Sequence, residues 1–250
     1  MIIDAHAHLG HDFVFDEDVT EAWLLENYRE QGIDGAIVQP FISRPYISDT
    51  REIHDRIARL CASKEKRFWG MASINPHFTP DDYAAEAGRC VKELGFVALK
   101  LTPIAHAAHP ANQDSLFVYE TARRLGVSVM IHTGQGIPFS DPASLLDVPG
   151  RFPDLKFVLA HAGGDMFFQQ ALYLARRFEN VYLEPSWLNV MNVKKALDSI
   201  GASKIMFSSD QALNASVELA KYRAVLKKSS ELERVLSGTA IEVFGLGKPR

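Results

Sequence analysis

The sequence predicts an α/β protein, a (β/α)₈ barrel that forms a single domain over residues 1–250, and three observations lead there. Short apolar runs rich in β-branched residues alternate with longer segments of helical periodicity, as in a parallel sheet covered by helices. Eight such units can be counted, and eight parallel strands close a barrel without leaving an open edge. The length of 250 residues is also usual for one barrel of this kind.

Each predicted strand is a short apolar run that ends before a polar stretch, a turn or a helix. The eight candidates are Ile2–His6, Gly35–Gln39, Phe68–Ile74, Phe96–Leu101, Val127–His132, Lys156–His161, Asn180–Glu184 and Lys204–Ser209. Long polar or proline-rich segments follow several of them, at the end of the barrel where active sites lie in this fold.

Amphipathic periodicity predicts the helices that connect these strands. They are Val19–Gln31, Arg51–Lys64, Asp81–Glu93, Ser115–Leu125, Met166–Arg177, Val190–Ser199 and Ala215–Lys227, with a weaker short helix at Pro142–Leu146. Gly32, Gly95 and Gly126 each follow a helical pattern, where a left-handed residue commonly ends a helix. We therefore expect tight turns from these helices into the next strands.

Charge and hydropathy exclude several classes of protein. A formal net charge of −4 gives no basic surface for nucleic acid or for acidic membranes. No uncharged apolar run approaches the roughly 18 residues of a spanning helix, and the amino terminus reads as a buried strand rather than an export signal. Cys61 and Cys90 fall within helical patterns and are expected to be free thiols. We expect a cytoplasmic protein that handles a small molecule, and a homodimer stays open.

Four histidines and an aspartate lie where predicted strands end. His6 and His8 are two residues apart on the first strand, so their side chains point to the same side. His132 and His161 close the fifth and sixth strands, and Asp210 follows the eighth. Neutral imidazoles and a carboxylate suit one divalent ion, with Zn²⁺ as the first expectation and Mn²⁺ or another transition metal as alternatives. Three or four such ligands leave a position open for water, which is typical of a catalytic metal.

Six segments resemble, in order along the chain, the amidohydrolase superfamily, in the branch of aminocarboxymuconate-semialdehyde decarboxylase. The segments are IIDAHAHLG, ALKLTP, VSVMIHTGQGIPFSDP, RFPDLKFVLAHAGG, NVYLEPS and IMFSSD. The resemblance implies four metal ligands, namely His6, His8, His132 and Asp210. It also implies that His161 contacts the substrate or the metal-bound water.

Lys100 lies on the predicted fourth strand and shares a face with Phe96 and Ala98 by alternation. A lysine inside a barrel is costly unless it is paired or modified. Three explanations stay open. The lysine is carboxylated and bridges two metals, as in some members of the superfamily; it stays cationic and contacts the substrate or the metal ligands; or its amine reaches solvent at the rim.

Two further residues are candidates for binding the substrate. Arg44 follows the second strand and is placed to hold a carboxylate through a bidentate contact, with simple surface solvation as the alternative. Trp187 follows the seventh strand and is a candidate for an apolar wall, with packing between helix and barrel as the alternative. The wall beside Asp210 departs from relatives, which commonly carry an aromatic residue and a proline where this chain has Gln211 and Ala212.

These residues lead to three hypotheses about function. The first is hydrolysis of an amide, lactone or ester-like bond in a small carboxylated molecule, in which Asp210 activates a metal-bound water and His161 stabilises the oxyanion or donates a proton. The second is non-oxidative decarboxylation of an aromatic or unsaturated acid, the chemistry of the same branch. The third is a sensor that has lost its chemistry. The short insertions favour hydrolysis, and the intact ligand set argues against a sensor.

Overall fold

The computed structural model describes residues 1–42, 45–63, 67–134 and 139–247. Within these residues, eight strands form one curled sheet in the order β2-β1-β3-β4-β5-β6-β7-β8. The strands are β1 Ile3–Asp12, β2 Glu17–Val19, β3 Gly35–Pro40, β4 Arg67–Ser73, β5 Ala98–Leu101, β6 Ser128–His132, β7 Phe157–Ala160 and β8 Val181–Glu184. The predicted mixture of strands and covering helices is therefore confirmed.

The helices of the described residues follow the strands in the predicted alternation. They are α1 Glu21–Glu30, α2 Ile47–Cys61, α3 Pro80–Lys92, α4 Pro103–His106, α5 Gln113–Leu125, α6 Val148–Arg151, α7 Gly164–Arg177, α8 Val190–Ile200, α9 Ala215–Val225, α10 Ser229–Glu233 and α11 Thr239–Phe244. Gly32, Gly95 and Gly126 have the left-handed φ values predicted for them, 69°, 73° and 71°. None of the helices in the described ranges combines the length and the apolar content that crossing a membrane requires.

A short hairpin at the end of β1 was not predicted. The sequence indicated a first strand that stops at His6, whereas β1 continues to Asp12. Its far end pairs antiparallel with β2, from Gly10 opposite Val19 to Asp12 opposite Glu17. The stretch between the two strands, FVFD, is a short apolar run without alternation, and it was assigned to no predicted element. The hairpin matters because its turn lies beside the cavity described below.

The eighth predicted strand, Lys204–Ser209, is wrong as a regular strand. The structure has only isolated parallel bridges here, one joining Leu183 to Ile205 and one joining Ala7 to Asp210. The segment therefore lies between β8 and β1 and contacts both. The described fold is a curled sheet with seven parallel strands and one antiparallel strand. A fully closed (β/α)₈ barrel stays a prediction.

Two buried carboxylates explain why this segment is held without a regular ladder. The Ser208 hydroxyl donates to Glu184 on β8. The Ser209 hydroxyl and its backbone N–H donate to Asp4 on β1, the latter at 2.9 Å. Asp4 also accepts from the Tyr28 hydroxyl at 2.7 Å, and burial raises its pKa to about 6 in spite of these bonds. These side-chain bonds add to the few main-chain bonds of the segment, such as those from Met206 to Leu183 and from Ala5 to Phe207, both at 3.1 Å.

The apolar core has an outer and an inner part. The outer part lies between the sheet and the surrounding helices. The inner part fills one end of the curled sheet, where residues such as Ala5, Ala98 and Met130 pack with α11. Along their strands these residues precede the polar side chains at the carboxyl ends. The polar residues therefore gather at the other end of the interior.

A buried polar cluster joins α2, α3 and β4. Glu86 accepts from the Nδ1 of His54 at 2.7 Å and from Arg89 at 2.9 Å, and the backbone N–H of Ser73 donates to the Nε2 of His54 at 3.2 Å. Burial raises the pKa of Glu86, but the bonds from His54 and Arg89 outweigh it and lower the value to about 2. Cys90 lies close enough to complete a metal-binding trio. Both ring nitrogens of His54 already have protein partners, so the cluster is structural.

We expect Glu86→Gln to destabilise the protein by about 3 kcal/mol at neutral pH, since it breaks a buried charged cluster. The folded carboxyl has a pKa of about 2 against an ordinary value of 4.5, so its contribution is complete above pH 4.5 and fades as the pH falls through about 2. Urea unfolding between pH 7 and pH 2 measures this effect. Glu120→Gln, on the exposed face of α5, is the control. A stability difference that stays constant down to pH 2 would contradict the prediction.

Candidate active site

A β-bulge in β1 directs His6 and His8 into the interior. The pairing of β1 with β3 shifts register between Asp4 and Ala7. Ala5 belongs to the inner apolar cluster, so strict alternation would put the next residue on the opposite face of the sheet. The extra residue of the bulge removes this conflict, and both histidines line the same cavity.

Three ligand-type atoms form a small triangle at this point. The Nε2 atoms of His6 and His8 are 3.2 Å apart. The Oδ1 atom of Asp210 is 3.3 Å from the first and 3.2 Å from the second. Neighbouring ligands have this spacing when each binds one ion at about 2.1 Å. The residues present therefore fit a divalent metal ion.

In both histidines the hydrogen bonds put the ring proton on Nδ1, so Nε2 keeps the lone pair that a metal ion would need. The Nδ1 of His6 lies 2.8 Å from a Glu184 oxygen, and the Nδ1 of His8 lies 3.2 Å from the carbonyl oxygen of Pro40. Both partners only accept, so the protons sit on Nδ1 and the lone pairs on Nε2. Burial and the nearby Lys100 lower the pKa of His6 to about 3, which keeps its ring neutral. Neutral imidazole is the form that binds metal.

Glu184 holds several parts of this site together. Its carboxylate is fully buried and accepts from the His6 ring, from the Ser208 hydroxyl, and from the backbone N–H groups of Ser186 at 2.7 Å and His161 at 3.2 Å. Burial raises its pKa, but these bonds and the nearby histidines hold it well below its usual value. The sequence analysis gave Glu184 no role. The sequence feature that could have identified it is an acidic residue at the end of an apolar strand.

His161 and His132 share the cavity with the three-atom group. The Nδ1 of His161 lies 2.8 Å from the Ser186 hydroxyl, and its ring centre lies 5.2 Å from that of His6 and 4.9 Å from that of His132. Among the groups of possible metal ligands in the described residues, His132 does not join the triangle of His6, His8 and Asp210. Its role as a fourth ligand stays a prediction.

Lys100 lies inside the cavity rather than at its solvent-exposed rim. Its side chain is 3% exposed, and its Nζ lies 3.1 Å from the Nε2 of His6. Burial lowers the pKa of Lys100 to about 8, against the opposing charges of Asp210 and Glu184. Lys100 therefore points inward, on the same face as Ala98 of the inner apolar cluster. The prediction that Phe96 shares this face is wrong, since β5 begins only at Ala98 and Phe96 packs in the outer core. A bridging carboxylated lysine and a cation that contacts the substrate both stay open.

Trp187 contacts Asp210 directly. Its indole Nε1 donates to the Oδ2 of Asp210 at 2.8 Å, while its ring lines the cavity and is 48% exposed. Burial raises the pKa of Asp210, but the neighbouring rings of His161, His6 and His8 hold it well below its usual value. Sequence reasoning gave Trp187 only an apolar role. Arg44, the other predicted substrate contact, lies outside the described residues.

The cavity has a volume of about 430 Å³ and an apolar wall. Val14 and Phe15, from the turn between β1 and β2, line it together with Phe41. The Phe41 ring stacks on that of His8, with centres 4.5 Å apart and planes at 17°. A small planar molecule would therefore contact metal ligands and apolar side chains at the same time.

Gln39 is a second residue that the sequence analysis did not single out. It is the next-to-last residue of β3, is fully buried, and lines the cavity with its Nε2 3.2 Å from the Nε2 of His8. Among the described residues, its Oε1 has no hydrogen-bond partner. A buried acceptor without a partner is costly, so a ligand that donates a hydrogen bond would be favoured here. A polar residue at the end of the buried strand GAIVQP was the available signal.

Comparison with known proteins identifies the family. Residues 3–246 match the family described as Amidohydrolase. The chain is a member of the amidohydrolase superfamily. It is 25% identical to 2-keto-4-carboxy-3-hexenedioate hydratase of Sphingobium sp. strain SYK-6, over 77% of this chain and 70% of that protein.

Solved structures share this fold, and two of them are informative. A dihydroxybenzoic acid decarboxylase from Polaromonas sp. JS666, with bound manganese and the inhibitor 2-nitroresorcinol, matches with a TM-score of 0.80 and 18% identity over 99% of this chain and 98% of that one. 4-Oxalomesaconate hydratase from Rhodopseudomonas palustris matches with a TM-score of 0.75 and 19% identity over 98% of this chain and 96% of that one. At this level of identity the likeness shows the fold.

We expect the protein to bind one divalent ion per chain. The His6→Ala and His8→Ala double variant should lose it, because two of the three converging lone pairs disappear. His109→Ala, in an exposed loop position, is the control. Elemental mass spectrometry of dialysed protein gives the stoichiometry. Lys100→Met should keep the single ion, whereas two ions in the wild type and loss of metal in Lys100→Met would indicate a carboxylated bridge instead.

Proposed function

We propose that this protein is a metal-dependent decarboxylase that removes carbon dioxide from a small aromatic or unsaturated carboxylic acid. The observation that carries the proposal is the composition of one cavity. It combines the three-atom group, the buried cation of Lys100 and an apolar wall that includes Phe15 and Phe41. A carboxylated planar molecule fits such a lining better than a flexible amide does. The decarboxylase among the structures with the same fold supports this choice.

His6, His8 and Asp210 are the proposed metal ligands, and His132 is the candidate for a fourth. When bound, a divalent ion supplies Lewis acidity that withdraws electron density from a substrate oxygen. Both Zn²⁺ and Mn²⁺ accept these nitrogen and oxygen donors. The carboxylate of Glu184 contributes by keeping the His6 ring in the ligating tautomer.

Lys100 is the proposed contact for the substrate carboxylate. In the structure its amine hydrogen-bonds to the Nε2 of His6. That lone pair can serve only one partner, so a metal ion on His6 frees the amine for an anionic group of the substrate. A buried cation binds an anion strongly because little solvent screens the pair. The Oε1 of Gln39 is the proposed acceptor for a substrate hydroxyl.

In the proposed reaction the bond between the ring or alkene carbon and the carboxylate breaks. Its electron pair stays on that carbon, which takes up a proton as carbon dioxide leaves. His161 is the proposed proton donor, because Ser186 holds its Nδ1 and the other ring nitrogen is left for the substrate.

Hydration is the second candidate, and the sequence relative favours it, since that protein is a hydratase. The same side chains would then add water across a carbon–carbon double bond, with His161 and Asp210 in the proton transfers. Hydrolysis, which the sequence analysis favoured, has less support, because the reported relatives are a decarboxylase and two hydratases.

Product analysis in heavy water tests the proposal. Metal-loaded protein is incubated with dihydroxybenzoates and unsaturated di- and tricarboxylic acids, and products are identified by mass spectrometry with carbon dioxide measured separately. We expect release of carbon dioxide and one deuterium on the ring or alkene carbon that carried the carboxylate. His161→Asn should lower kcat by about 10²- to 10⁴-fold, with His109→Ala as the control. Addition of water without release of carbon dioxide would favour the hydratase and contradict the proposal.

A further inference from the structure

The two oxygens of Asp210 have separate partners. Its Oδ1 faces the Nε2 atoms of His6 and His8 at 3.3 and 3.2 Å. Its Oδ2 accepts from the indole Nε1 of Trp187 at 2.8 Å. A carboxylate whose second oxygen is occupied in this way can turn only one oxygen toward the metal position.

Both partners of this hydrogen bond are held in an unfavourable backbone conformation. Trp187 has φ 68° and Asp210 has φ 65°, in the left-handed region that non-glycine residues rarely adopt. The backbone N–H of Trp187 donates to the buried Glu218 at 2.9 Å, and that of Asp210 donates to the carbonyl oxygen of His6 at 2.9 Å. Such strain persists only where the surroundings fix it. The contact between Trp187 and Asp210 is therefore built into the fold.

We propose that Trp187 is a positioning residue of the metal centre, whose indole N–H makes Asp210 a ligand through Oδ1 alone. This inference rests on the metal site of the proposed function. The hydrogen bond fixes the rotation of the carboxylate before the ion arrives, so less ordering is needed on binding. The indole N–H is bonded directly to Asp210, which is a proposed metal ligand. We therefore expect binding of the ion to change the surroundings of the indole ring.

Zinc titration of the metal-free protein tests this role without any substrate. Chelator-buffered Zn²⁺ gives the dissociation constant by dialysis and elemental analysis, and tryptophan emission is recorded in parallel. Trp187→Phe keeps an aromatic ring but removes the indole N–H, and we expect it to weaken zinc binding about 10- to 100-fold. It should also abolish the zinc-dependent change in emission. Trp23→Phe, on α1, should do neither.

A double-variant cycle shows whether Trp187 acts through Asp210. In an Asp210→Ala background, Trp187→Phe should cause no further loss of zinc affinity. Unchanged melting of the metal-free Trp187→Phe protein shows that the loss is not one of folding. The inference would be overturned if wild type and Trp187→Phe bound zinc with equal affinity, or if Trp187→Phe reduced zinc affinity equally in both backgrounds. It would also be overturned if the wild type bound zinc stoichiometrically without a change in tryptophan emission. Failure of the wild type to bind zinc would overturn the metal site itself, which is a different result.

Discussion

The buried carboxylate of Glu184 is the interaction on which the rest of the site depends. It lies at the end of β8 and is bonded to the ring of His6, to the Ser208 hydroxyl, and to the backbone of Ser186 and His161. A buried charge is tolerated only when such bonds satisfy it, so each partner is constrained in turn. The carboxylate thereby sets the tautomer of one metal-ligand candidate and the start of the turn that carries His161.

Asp4 on β1 is a second buried carboxylate that accepts several hydrogen bonds. Together, Asp4 and Glu184 fix the position of Asp210. Ser208 and Ser209 bond to Glu184 and Asp4 respectively, which ties the irregular segment before Asp210 to both β8 and β1. The isolated bridges on either side show the same attachment in the main chain. Asp210 therefore reaches the histidines although its segment is not a regular strand.

The sequence predicted what depends on strand periodicity, and it missed what depends on distant partners. His6 and His8 share one face as alternation predicts, but only the bulge turns that face to the interior. Lys100 shares the inner face with Ala98. Glu184 and Gln39 were not predicted as site residues, because their roles depend on contacts with residues far along the chain. The preference for hydrolysis rested on short insertions, and it overlooked the turn at Phe15, which supplies an apolar wall from a hairpin that only tertiary pairing reveals.

The tautomer of His6 in the metal-free protein is the most direct measure of whether Glu184 organises the site. A long-range ¹H–¹⁵N correlation spectrum at neutral pH distinguishes a ring protonated on Nδ1 from one protonated on Nε2, and His6→Asn assigns the signals. We expect His6 to be neutral with its proton on Nδ1, and this preference should weaken in Glu184→Gln. A wild-type ring with its proton on Nε2, or one carrying both protons, would contradict the role given to Glu184.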